Sequence, residues 1–434
     1  MKPTMDLSEA LQSAFPFRRP LLPWAGYRLI EQSSIEDVWN AALCELGQSD
    51  RPNRRTIYIH IPFCANHCLF CGFYKNRAQE NRMEGYVDRL IREMERQAHG
   101  LSEGGLVHAV YLGGGTPTAL GADELFEVVS AIRRLFPLAN DCEITVEGRV
   151  IHFTEEKIEA ALEGGVNRFS IGVQSFDTLV RNKQGRRSSR KEVLMFLESL
   201  LARDRATVVF DLMFGLPLQT RQVWMDDLET AIALKPDGID IYSLALFPGT
   251  PLFKAIKQGS IEPGASRQEL GEFYAMGVES LSKAGWLHLS NSHFASGTRE
   301  RNRYNIMIKE GAETLGFGSG AGGAIGRYSY QRDADLDAWS TSVDANTSTI
   351  SQLSIADENE STRAMITGQL EQGRLDLTSV MRLRPVQLQL AKKLEEFAGK
   401  NLITNPEPRT ALTLAGRYWS TNIRGEILQI LNME

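Results

Sequence analysis

Beginning at Thr56, short apolar runs rich in β-branched residues alternate with longer stretches of helical period, and this alternation constrains the fold most. It predicts repeated βα units around a parallel sheet, because parallel neighbours need long crossover connections. The six predicted strands are Ile57–Ile61, Ala109–Leu112, Glu143–Glu147, Arg168–Ile171, Val208–Leu212 and Ile239–Leu244. Helices are predicted between them near 82–98, 122–136, 155–163, 189–203 and 221–234.

Six such units are too few for a closed eight-stranded barrel. The predicted fold class is therefore α/β, with a partial (β/α)6 barrel or, as the alternative, an open parallel sheet. Both architectures place functional residues beyond the carboxyl ends of the strands. Polar or glycine-rich segments follow five of the predicted strands: Cys64 to Cys71, Gly113 to Pro117, Glu147, Gln174 and Asp211. Their convergence predicts one site at this rim.

Three regions are predicted along the chain. Residues 1–55 form an N-terminal leader with two short helical patterns, which we expect to pack on the barrel. Residues 56–290 form the core, and residues 291–434 form a small, mainly helical C-terminal domain that covers the substrate. The glycine-rich stretch 315–328 predicts a loop or a tight turn system, because glycine permits backbone conformations that other residues avoid.

Composition argues against several classes of partner. The chain has 434 residues and a formal net charge of −6, whereas nucleic-acid-binding surfaces are basic, so no nucleic acid is expected as a partner. No apolar run approaches the ~20 residues that span a bilayer, so no membrane insertion is expected. The N-terminal segment also lacks the continuous apolar region of a secretory signal. A cytoplasmic location is therefore expected.

The five cysteines divide into two isolated residues and a triplet. For the isolated pair, Cys44 and Cys142, we expect buried and inert thiols. The triplet consists of Cys64, Cys68 and Cys71 in the spacing C-x3-C-x2-C. Clustered thiols in a reducing compartment indicate metal binding or catalysis rather than disulfides.

Two kinds of metal site suit these thiolates, a zinc ion or an iron–sulfur cluster. A structural zinc ion takes four ligands, usually as two spaced pairs, and here only His67 is near enough in sequence to complete the set. Three cysteines instead suit three irons of a [4Fe–4S] cubane whose fourth iron stays open. The triplet resembles the signature of the radical S-adenosylmethionine (SAM) superfamily. This resemblance implies that SAM binds the open iron and is cleaved to a 5′-deoxyadenosyl radical.

Other segments resemble one family within that superfamily. Gly113 to Pro117 (GGGTP) matches the motif that contacts the SAM amino group, with a tight βα turn as the alternative. Glu147 and Asp211 suit ribose hydroxyls or an ammonium group, with a helix cap or a buried ion pair as the alternative. The strings Asn167 to Phe176 and Asp211 to Pro217 resemble the oxygen-independent coproporphyrinogen III dehydrogenases.

That family binds two SAM molecules, and the resemblance assigns residues of this chain to each. The positions that match the site of the SAM on the cluster are Tyr58, Phe70, Gly114 and Glu147. The positions that match the second SAM site are Gly115, Thr116, Gln174, Arg186 and Asp211, with Ala245 and Ile325 as backbone contacts. No catalytic residue is assigned beyond the cluster ligands.

Phe73 and the leader distinguish this chain from two similar families. The dehydrogenases carry a fourth cysteine where this chain has Phe73, and heme chaperones begin almost directly at the first strand. The stretch Pro20 to Tyr27 and the segment His293 to Asn305 resemble the anaerobic heme-degrading radical SAM methyltransferases of the heme-utilisation type. This resemblance implies heme as the substrate, release of iron, and ring opening to a methylated linear tetrapyrrole. It also implies a flavodoxin or another low-potential electron donor.

A heme chaperone and a coproporphyrinogen dehydrogenase remain as alternative functions. The residues that bind heme are not legible in the sequence. His60 and His67 flank the cluster loop and are candidates for contact with the substrate. His293 is a candidate axial ligand, because imidazole commonly ligates heme iron, but a hydrogen-bonding role fits it equally.

Overall fold

The computed structural model describes residues 5–19, 26–46, 54–72, 76–79, 83–102, 105–381 and 384–433. The six predicted strands are all present; five run to their expected carboxyl end or up to three residues beyond, and the sixth ends one residue short, at Ser243. The strands of the main sheet are β1 (Tyr27–Leu29), β2 (Arg55–Ile61), β5 (Val107–Gly114), β6 (Leu138–Gly148), β7 (Arg168–Gln174), β8 (Thr207–Phe214), β9 (Gly238–Ser243), β10 (Leu287–His288), β11 (His293–Ala295), β12 (Glu313–Phe317), β13 (Gly322–Ile325), β14 (Tyr328–Arg332) and β15 (Ile350–Ala356). Two short pairs lie outside it: β3 (Phe63–Cys64) with β4 (Asn76–Arg77), and β16 (Arg374–Asp376) with β17 (Arg409–Ala411).

Helices connect and cover the strands. In the described residues they are Leu7–Ser13, Ile35–Leu46, Tyr86–Ser102, Ala122–Leu135, Glu155–Gly164, Thr178–Lys183, Arg190–Ala202, Arg221–Leu234, Pro251–Lys257, Arg267–Lys283, Arg303–Lys309, Leu336–Asp344, Glu360–Glu371, Arg384–Gly399, Leu414–Tyr418 and Ser420–Ile430, with 3-10 turns at Gln32–Ser34 and Pro117–Ala119. Among these helices, none combines the length and the apolar character that a membrane crossing requires.

The sheet is parallel in its middle and antiparallel at both ends. Its order is β1-β15-β14-β13-β12-β2-β5-β6-β7-β8-β9-β11-β10, and every pair from β12 through β9 is parallel. The parallel strands are buried on both faces; in β7, only Gln174 at the carboxyl end has partial exposure. Such strands place polar side chains at the carboxyl edge, where the connections leave the sheet.

Local sequence signals set the crossover helices. Ser189 and Glu192 form a capping box at the start of helix Arg190–Ala202, so two backbone N–H groups of its first turn are satisfied. The inner face of this helix buries Val193 and Leu197 against the sheet. Side-chain caps recur at most of the other crossover helices, which is why their predicted bounds agree closely with the structure.

The glycine-rich stretch 315–328 forms strands joined by tight turns, so the prediction of a loop is wrong and that of a turn system is right only between the strands. It contributes the end of β12, a turn, and all of β13. The glycines allow close packing: a Cβ on Gly316 would lie 2.2 Å from the carbonyl oxygen of Gly322, and one on Gly323 would lie 2.4 Å from the ring of Tyr330. Glycine here serves both strand packing and chain reversal, since Gly318, Gly320 and Gly326 adopt positive φ in the turns between the strands.

Long-range contacts join the beginning and end of the chain to the parallel strands. Both helices predicted in the leader are present, and Trp419 donates a hydrogen bond from Nε1 to the carbonyl oxygen of Ala10 at 2.9 Å. β1 pairs with β15, and β12 pairs with β2, next to a buried ion pair between Arg55 and Glu313 at 2.8 Å. The sheet thus continues on both sides of residue 290, and the division into three regions stays a prediction. Pro20 to Ala25 of the leader lie outside the described residues.

Candidate functional site

The carboxyl ends of β2 and of β5 through β8 surround one pocket. The residues that line it are Cys64, Asn66, Cys68, Phe70, Cys71, Gly115, Thr116, Glu147, Gly148, Arg149, Ser170, Gly172, Gln174, Arg186 and Asp211. All three cysteines of the triplet are among them, with seven of the residues matched to SAM positions. The convergence expected from parallel strand order is therefore present in the structure.

The cysteine loop follows β2 and is held by backbone hydrogen bonds at its middle. The N–H of Leu69 donates to the carbonyl oxygen of Gln184 at 3.1 Å, and the carbonyl oxygen of Leu69 accepts from Leu252 at 2.8 Å. All five cysteines lie in the described part of the chain, and none of them forms a disulfide. Cys142 is buried as expected, but Cys44 is exposed, so the expectation of a buried thiol is wrong for Cys44. No group of three or more His, Cys, Asp or Glu side chains in the described residues is arranged around a single metal ion.

The glycine motif brings the strand β5 loop against the cysteine loop. A Cβ on Gly115 would lie 2.5 Å from the carbonyl oxygen of Phe63, so only glycine fits there. The N–H of Gly115 donates to Ile61 at 2.8 Å, and Thr116 Oγ1 donates to Cys64 Sγ at 3.5 Å. Burial raises the pKa of the Cys64 thiol, and the bond from Thr116 and the charge of Arg149 oppose that increase. The close approach that the motif permits is thus made to the cysteine loop itself.

Glu147 forms the acidic wall of the pocket. Tyr111 donates a hydrogen bond from its hydroxyl to Glu147 Oε1 at 2.7 Å, and Tyr304 stacks on Tyr111 with ring centroids 4.7 Å apart. Burial raises the pKa of Glu147, while the hydrogen bonds from Tyr111 and from the backbone of Gly114 lower it. Glu147 is therefore a fixed acceptor whose second oxygen remains close to the glycine motif, since a Cβ on Gly113 would lie 2.9 Å from Oε2.

Asp211 lies opposite, near the end of β8. It accepts a hydrogen bond from the Ser170 hydroxyl at 3.1 Å. Burial raises its pKa to about 7, with further increases from the negative charges of Asp240 and Glu147. A ligand that carries a positive charge or donates hydrogen bonds would favour the ionised form of this carboxyl group.

Two guanidinium groups complete the lining. Arg186 donates from Nη1 to the carbonyl oxygen of Gly172 at 2.5 Å, and its Nε is buried without a hydrogen-bond partner. Burial lowers the pKa of Arg186, the interaction with Cys68 opposes that decrease, and the nearby charge of Arg149 adds to it. Arg149 donates from Nη1 to the carbonyl oxygen of Asn66 at 3.0 Å, and its Nε is likewise buried without a partner.

Comparison with known proteins identifies this arrangement. A model of the radical SAM superfamily matches residues 58–231, which contain the cysteine loop and the strands around the pocket. Anaerobilin synthase from Escherichia coli O157:H7 is 41% identical over 440 residues, which cover 99% of this chain and 97% of that protein. The chain belongs to the radical SAM superfamily and, within it, to the family of anaerobilin synthase.

Other relatives of this radical SAM enzyme match a smaller share of the chain. Heme chaperone HemW from Bacillus subtilis is 31% identical, over 63% of this chain and 71% of its own length. Oxygen-independent coproporphyrinogen III oxidase from Bradyrhizobium diazoefficiens is 28% identical, over 67% of each chain. The structure of coproporphyrinogen III oxidase (HemN) from Escherichia coli has a TM-score of 0.79, with 23% identity and coverage of 98% and 99%. The predicted α/β radical SAM fold is thereby confirmed.

Membership of the superfamily implies a [4Fe–4S] cluster and SAM, and the pocket of this radical SAM enzyme fits both groups. Three thiols from one loop form a donor set that suits the irons of a cluster. The unpartnered Nε atoms of Arg149 and Arg186 are buried donors at the same pocket, so they suit an anion such as a carboxylate or a thiolate-bound cluster.

Four of the residues matched to SAM positions do not line the pocket. Tyr58 points its hydroxyl at His60 Nδ1, at 3.0 Å, and Gly114 packs on the ring of His60. Ala245 lies in an exposed loop just past β9. Ile325 is buried in the core near the amino end of the parallel strands, because β13 runs antiparallel to β12 and carries the chain away from the pocket. Phe73 lies outside the described residues.

The structure places the candidate histidines in different surroundings. His293 is fully buried, with Nδ1 2.9 Å from Asp240 Oδ2 and Nε2 3.1 Å from Glu300 Oε1, so both ring nitrogens face carboxylates rather than a substrate. The axial-ligand hypothesis for His293 is therefore wrong. His67 Nε2 lies 3.4 Å from the carbonyl oxygen of Cys71, within the cysteine loop.

Sequence reasoning missed five residues that line the pocket: Asn66, Gly148, Arg149, Ser170 and Gly172. Arg149 is the most informative of them. The signal available was its position, two residues after Glu147 at a strand end already assigned to the site. Strand register could have flagged Ser170 and Gly172, since alternate residues of a strand share a face.

Proposed function

We propose that this radical SAM enzyme degrades heme without oxygen, opening the porphyrin to a methylated linear tetrapyrrole and releasing the iron. The observation that carries the proposal is the match to anaerobilin synthase, which extends over 99% of this chain. The matches to the heme chaperone and the coproporphyrinogen oxidase cover 63% and 67% of it. The name of the full-length relative denotes a bilin, and bilins are linear tetrapyrroles.

Cys64, Cys68 and Cys71 are the proposed cluster ligands. Support comes from their common position in the pocket and from the backbone bonds that hold the loop between them. The cluster, when bound, supplies the electron that cleaves the sulfonium of SAM. The chain's own contribution is to orient the three thiols and to shield them, since Cys64 and Cys68 are buried and Cys71 is partly buried.

Two SAM molecules are proposed, one for the radical and one for the methyl group. Tyr58, Phe70, Gly114 and Glu147 are assigned to the first site. Gly115, Thr116, Gln174, Arg186 and Asp211 are assigned to the second, with Ala245 and Ile325 as more distant members. For the second site, the buried Nε of Arg186 would bind the carboxylate of SAM, and Asp211 would accept from its ammonium or hydroxyl groups.

Heme and a low-potential electron donor, such as a flavodoxin, are the proposed partners. Residues 291–434 are proposed to cover the substrate, and residues 1–55 to pack on the barrel. Support for the leader's role comes from the hydrogen bonds of Gln12 to Glu272 at 3.2 Å and of Arg18 to Ser243 at 3.1 Å.

Anaerobic turnover tests the proposal. Protein reconstituted with iron and sulfide receives a chemical reductant, SAM and heme, and products are followed by absorbance and mass spectrometry. We expect loss of heme, formation of 5′-deoxyadenosine and a linear tetrapyrrole that carries one added methyl group. Tight binding of unchanged heme would contradict the proposal in favour of a chaperone. Turnover of coproporphyrinogen instead of heme would favour the dehydrogenase.

A further inference from the structure

Arg149 is a pocket residue to which none of the proposed ligand contacts has been assigned. It follows β6 and reaches across to the cysteine loop, where its Nη1 donates to the carbonyl oxygen of Asn66 at 3.0 Å. Asn66 lies between Cys64 and Cys68, so this bond fixes the loop segment that joins two of the proposed ligands. A guanidinium side chain is long and planar enough to make such a bond and still present other N–H groups.

The charge of Arg149 is not neutralised by a carboxylate in the part of the chain that the structure describes. Its Nε is buried and has no hydrogen-bond partner. Three buried arginines of the sheet interior are paired at 2.8–3.1 Å: Arg55 with Glu313, Arg168 with Glu300, and Arg332 with Glu93. Arg181 is also buried, but it bonds only carbonyl oxygens, so burial alone does not require a carboxylate partner. Arg149 differs from Arg181 in its place: it is half-buried and lines the pocket that holds the three thiols, so its unpartnered N–H is a donor for an anion in that pocket.

The position of Arg149 in the pocket indicates which anion its unpartnered N–H would bind. Arg186 donates to the carbonyl oxygen of Gly172 on β7 and also interacts with the Cys68 side chain, and it is already assigned to the second SAM. Arg149 donates to the backbone of the cysteine loop itself, between Cys64 and Cys68. A cluster held by these thiolates would be an anion at the same loop, on the pocket that Arg149 lines.

Resting on the proposed cluster, we infer that Arg149 is a positioning residue that stabilises the reduced cluster and raises its reduction potential. With three thiolates, a [4Fe–4S] cluster gains one unit of negative charge when it takes up one electron, and net charge and hydrogen bonding both set such potentials. A fixed cation beside the loop favours the more negative state. Arg149 thereby makes the first electron transfer of the reaction easier, without touching SAM or heme.

The test is a redox titration of three variants without SAM or heme. Arg149→Gln removes the charge, Arg149→Lys keeps it, and Arg205→Gln removes a charge from an exposed position as the matched control. Dithionite is the reductant, and electron paramagnetic resonance measures the reduced cluster. At the midpoint of the wild-type protein, we expect the ratio of reduced to oxidised cluster to fall about tenfold in Arg149→Gln, equivalent to 59 mV for one electron. Arg149→Lys and Arg205→Gln should stay within about threefold.

The outcomes separate this inference from the proposed function. A wild-type protein that takes up no cluster would contradict the proposed function itself. An unchanged midpoint in a cluster-loaded Arg149→Gln would overturn the inference and leave the function intact. If Arg149→Gln fails to load iron, Arg149→Met is prepared as a second neutral variant. If Arg149→Lys loads iron and both neutral variants do not, the result would support the role of the charge. Failure of the lysine variant as well, with unchanged circular dichroism, would show a packing role and overturn the inference.

Discussion

The sheet interior and the pocket at its carboxyl edge both bury arginine, but they treat its charge differently. In the interior, Arg168 is paired with Glu300 at 3.0 Å, and Glu300 in turn faces His293. At the edge, neither Arg149 nor Arg186 is paired with a carboxylate in the described residues: both bond carbonyl oxygens, Arg186 also contacts Cys68 and the ring of Phe70, and each has a buried Nε without a partner. The paired charges of Arg168, Glu300 and His293 connect β7 with β11. The unpaired guanidinium groups of Arg149 and Arg186 favour a bound ligand, because an added anion would neutralise them.

The buried charges of Arg168, Glu300, His293 and Asp240 form an interior cluster of side chains. The pKa values of His293 and Glu300 reflect this pairing. Burial alone would lower the pKa of His293, but the carboxylates of Asp240 and Glu300 outweigh it and raise the pKa to about 9. Burial would raise the pKa of Glu300, but Arg168 and His293 lower it to about 2. These groups are charged at neutral pH because they neutralise one another, so this cluster contributes stability rather than chemistry.

The largest expected effect is at the pocket. Cys68→Ala should abolish the visible absorbance of the reconstituted cluster, because the remaining two thiols of the loop cannot hold three irons. Absorbance spectra and iron content of anaerobic preparations measure this. Cys142→Ala, which removes another buried thiol outside the pocket, should leave both unchanged. A full cluster in Cys68→Ala would refute the ligand assignment.

The next effect is on the interior cluster. Glu300→Gln leaves Arg168 and His293 buried without their shared counter-charge, so it should lower the free energy of unfolding by about 3–5 kcal/mol. Urea denaturation of the cluster-free protein measures this change. Glu159→Gln, at an exposed ion pair, should change stability by less than about 0.5 kcal/mol. Equal effects of the two variants would show that the buried charges around Glu300 contribute no more to stability than an exposed ion pair does.

Stability should also depend on pH through His293. Its pKa rises from 6.5 in the unfolded chain to about 9 in the folded protein, so its contribution is complete below pH 6.5 and disappears as pH rises through 9. The slope in that window is at most about 1.4 kcal/mol per pH unit. Unfolding curves of His293→Gln should lack this slope. A variant that retains it would assign the slope to another group.

The smallest effect concerns Asp211. Because its pKa is about 7, SAM binding at the second site should strengthen about tenfold between pH 6 and pH 8, if the ligand requires the ionised carboxyl group. Calorimetry in a Cys68→Ala background isolates that site from the cluster-bound SAM. Asp211→Asn should bind weakly at both pH values, whereas Asp226→Asn, an exposed aspartate, should behave as the parent. A flat profile in the parent would remove Asp211 from the site.

The sequence by itself determined the parallel core and most of the pocket. Hydrophobic periodicity located all six strands, and the carboxyl ends of adjacent parallel strands must meet, so residues as distant in sequence as Cys64 and Asp211 were correctly grouped. The cysteine spacing and the glycine motif are local features whose chemistry is readable without a fold. Side-chain caps fixed the starts of most crossover helices, because a cap bonds the first turn of its own helix and is therefore readable from the local sequence.

Tertiary structure alone decided what depends on pairing between distant segments. β12 joins the parallel sheet beside β2, and Arg55 is paired with Glu313 across 258 residues of sequence. No local pattern in a glycine-rich stretch predicts such a distant partner. The same limit applies to His293, whose two carboxylate neighbours come from other segments. It applies also to Arg149, because only the tertiary structure shows that no carboxylate of the described residues is paired with it. Periodicity and spacing act through nearest neighbours along the chain, whereas neutralisation of a buried charge depends on which segments pack against it.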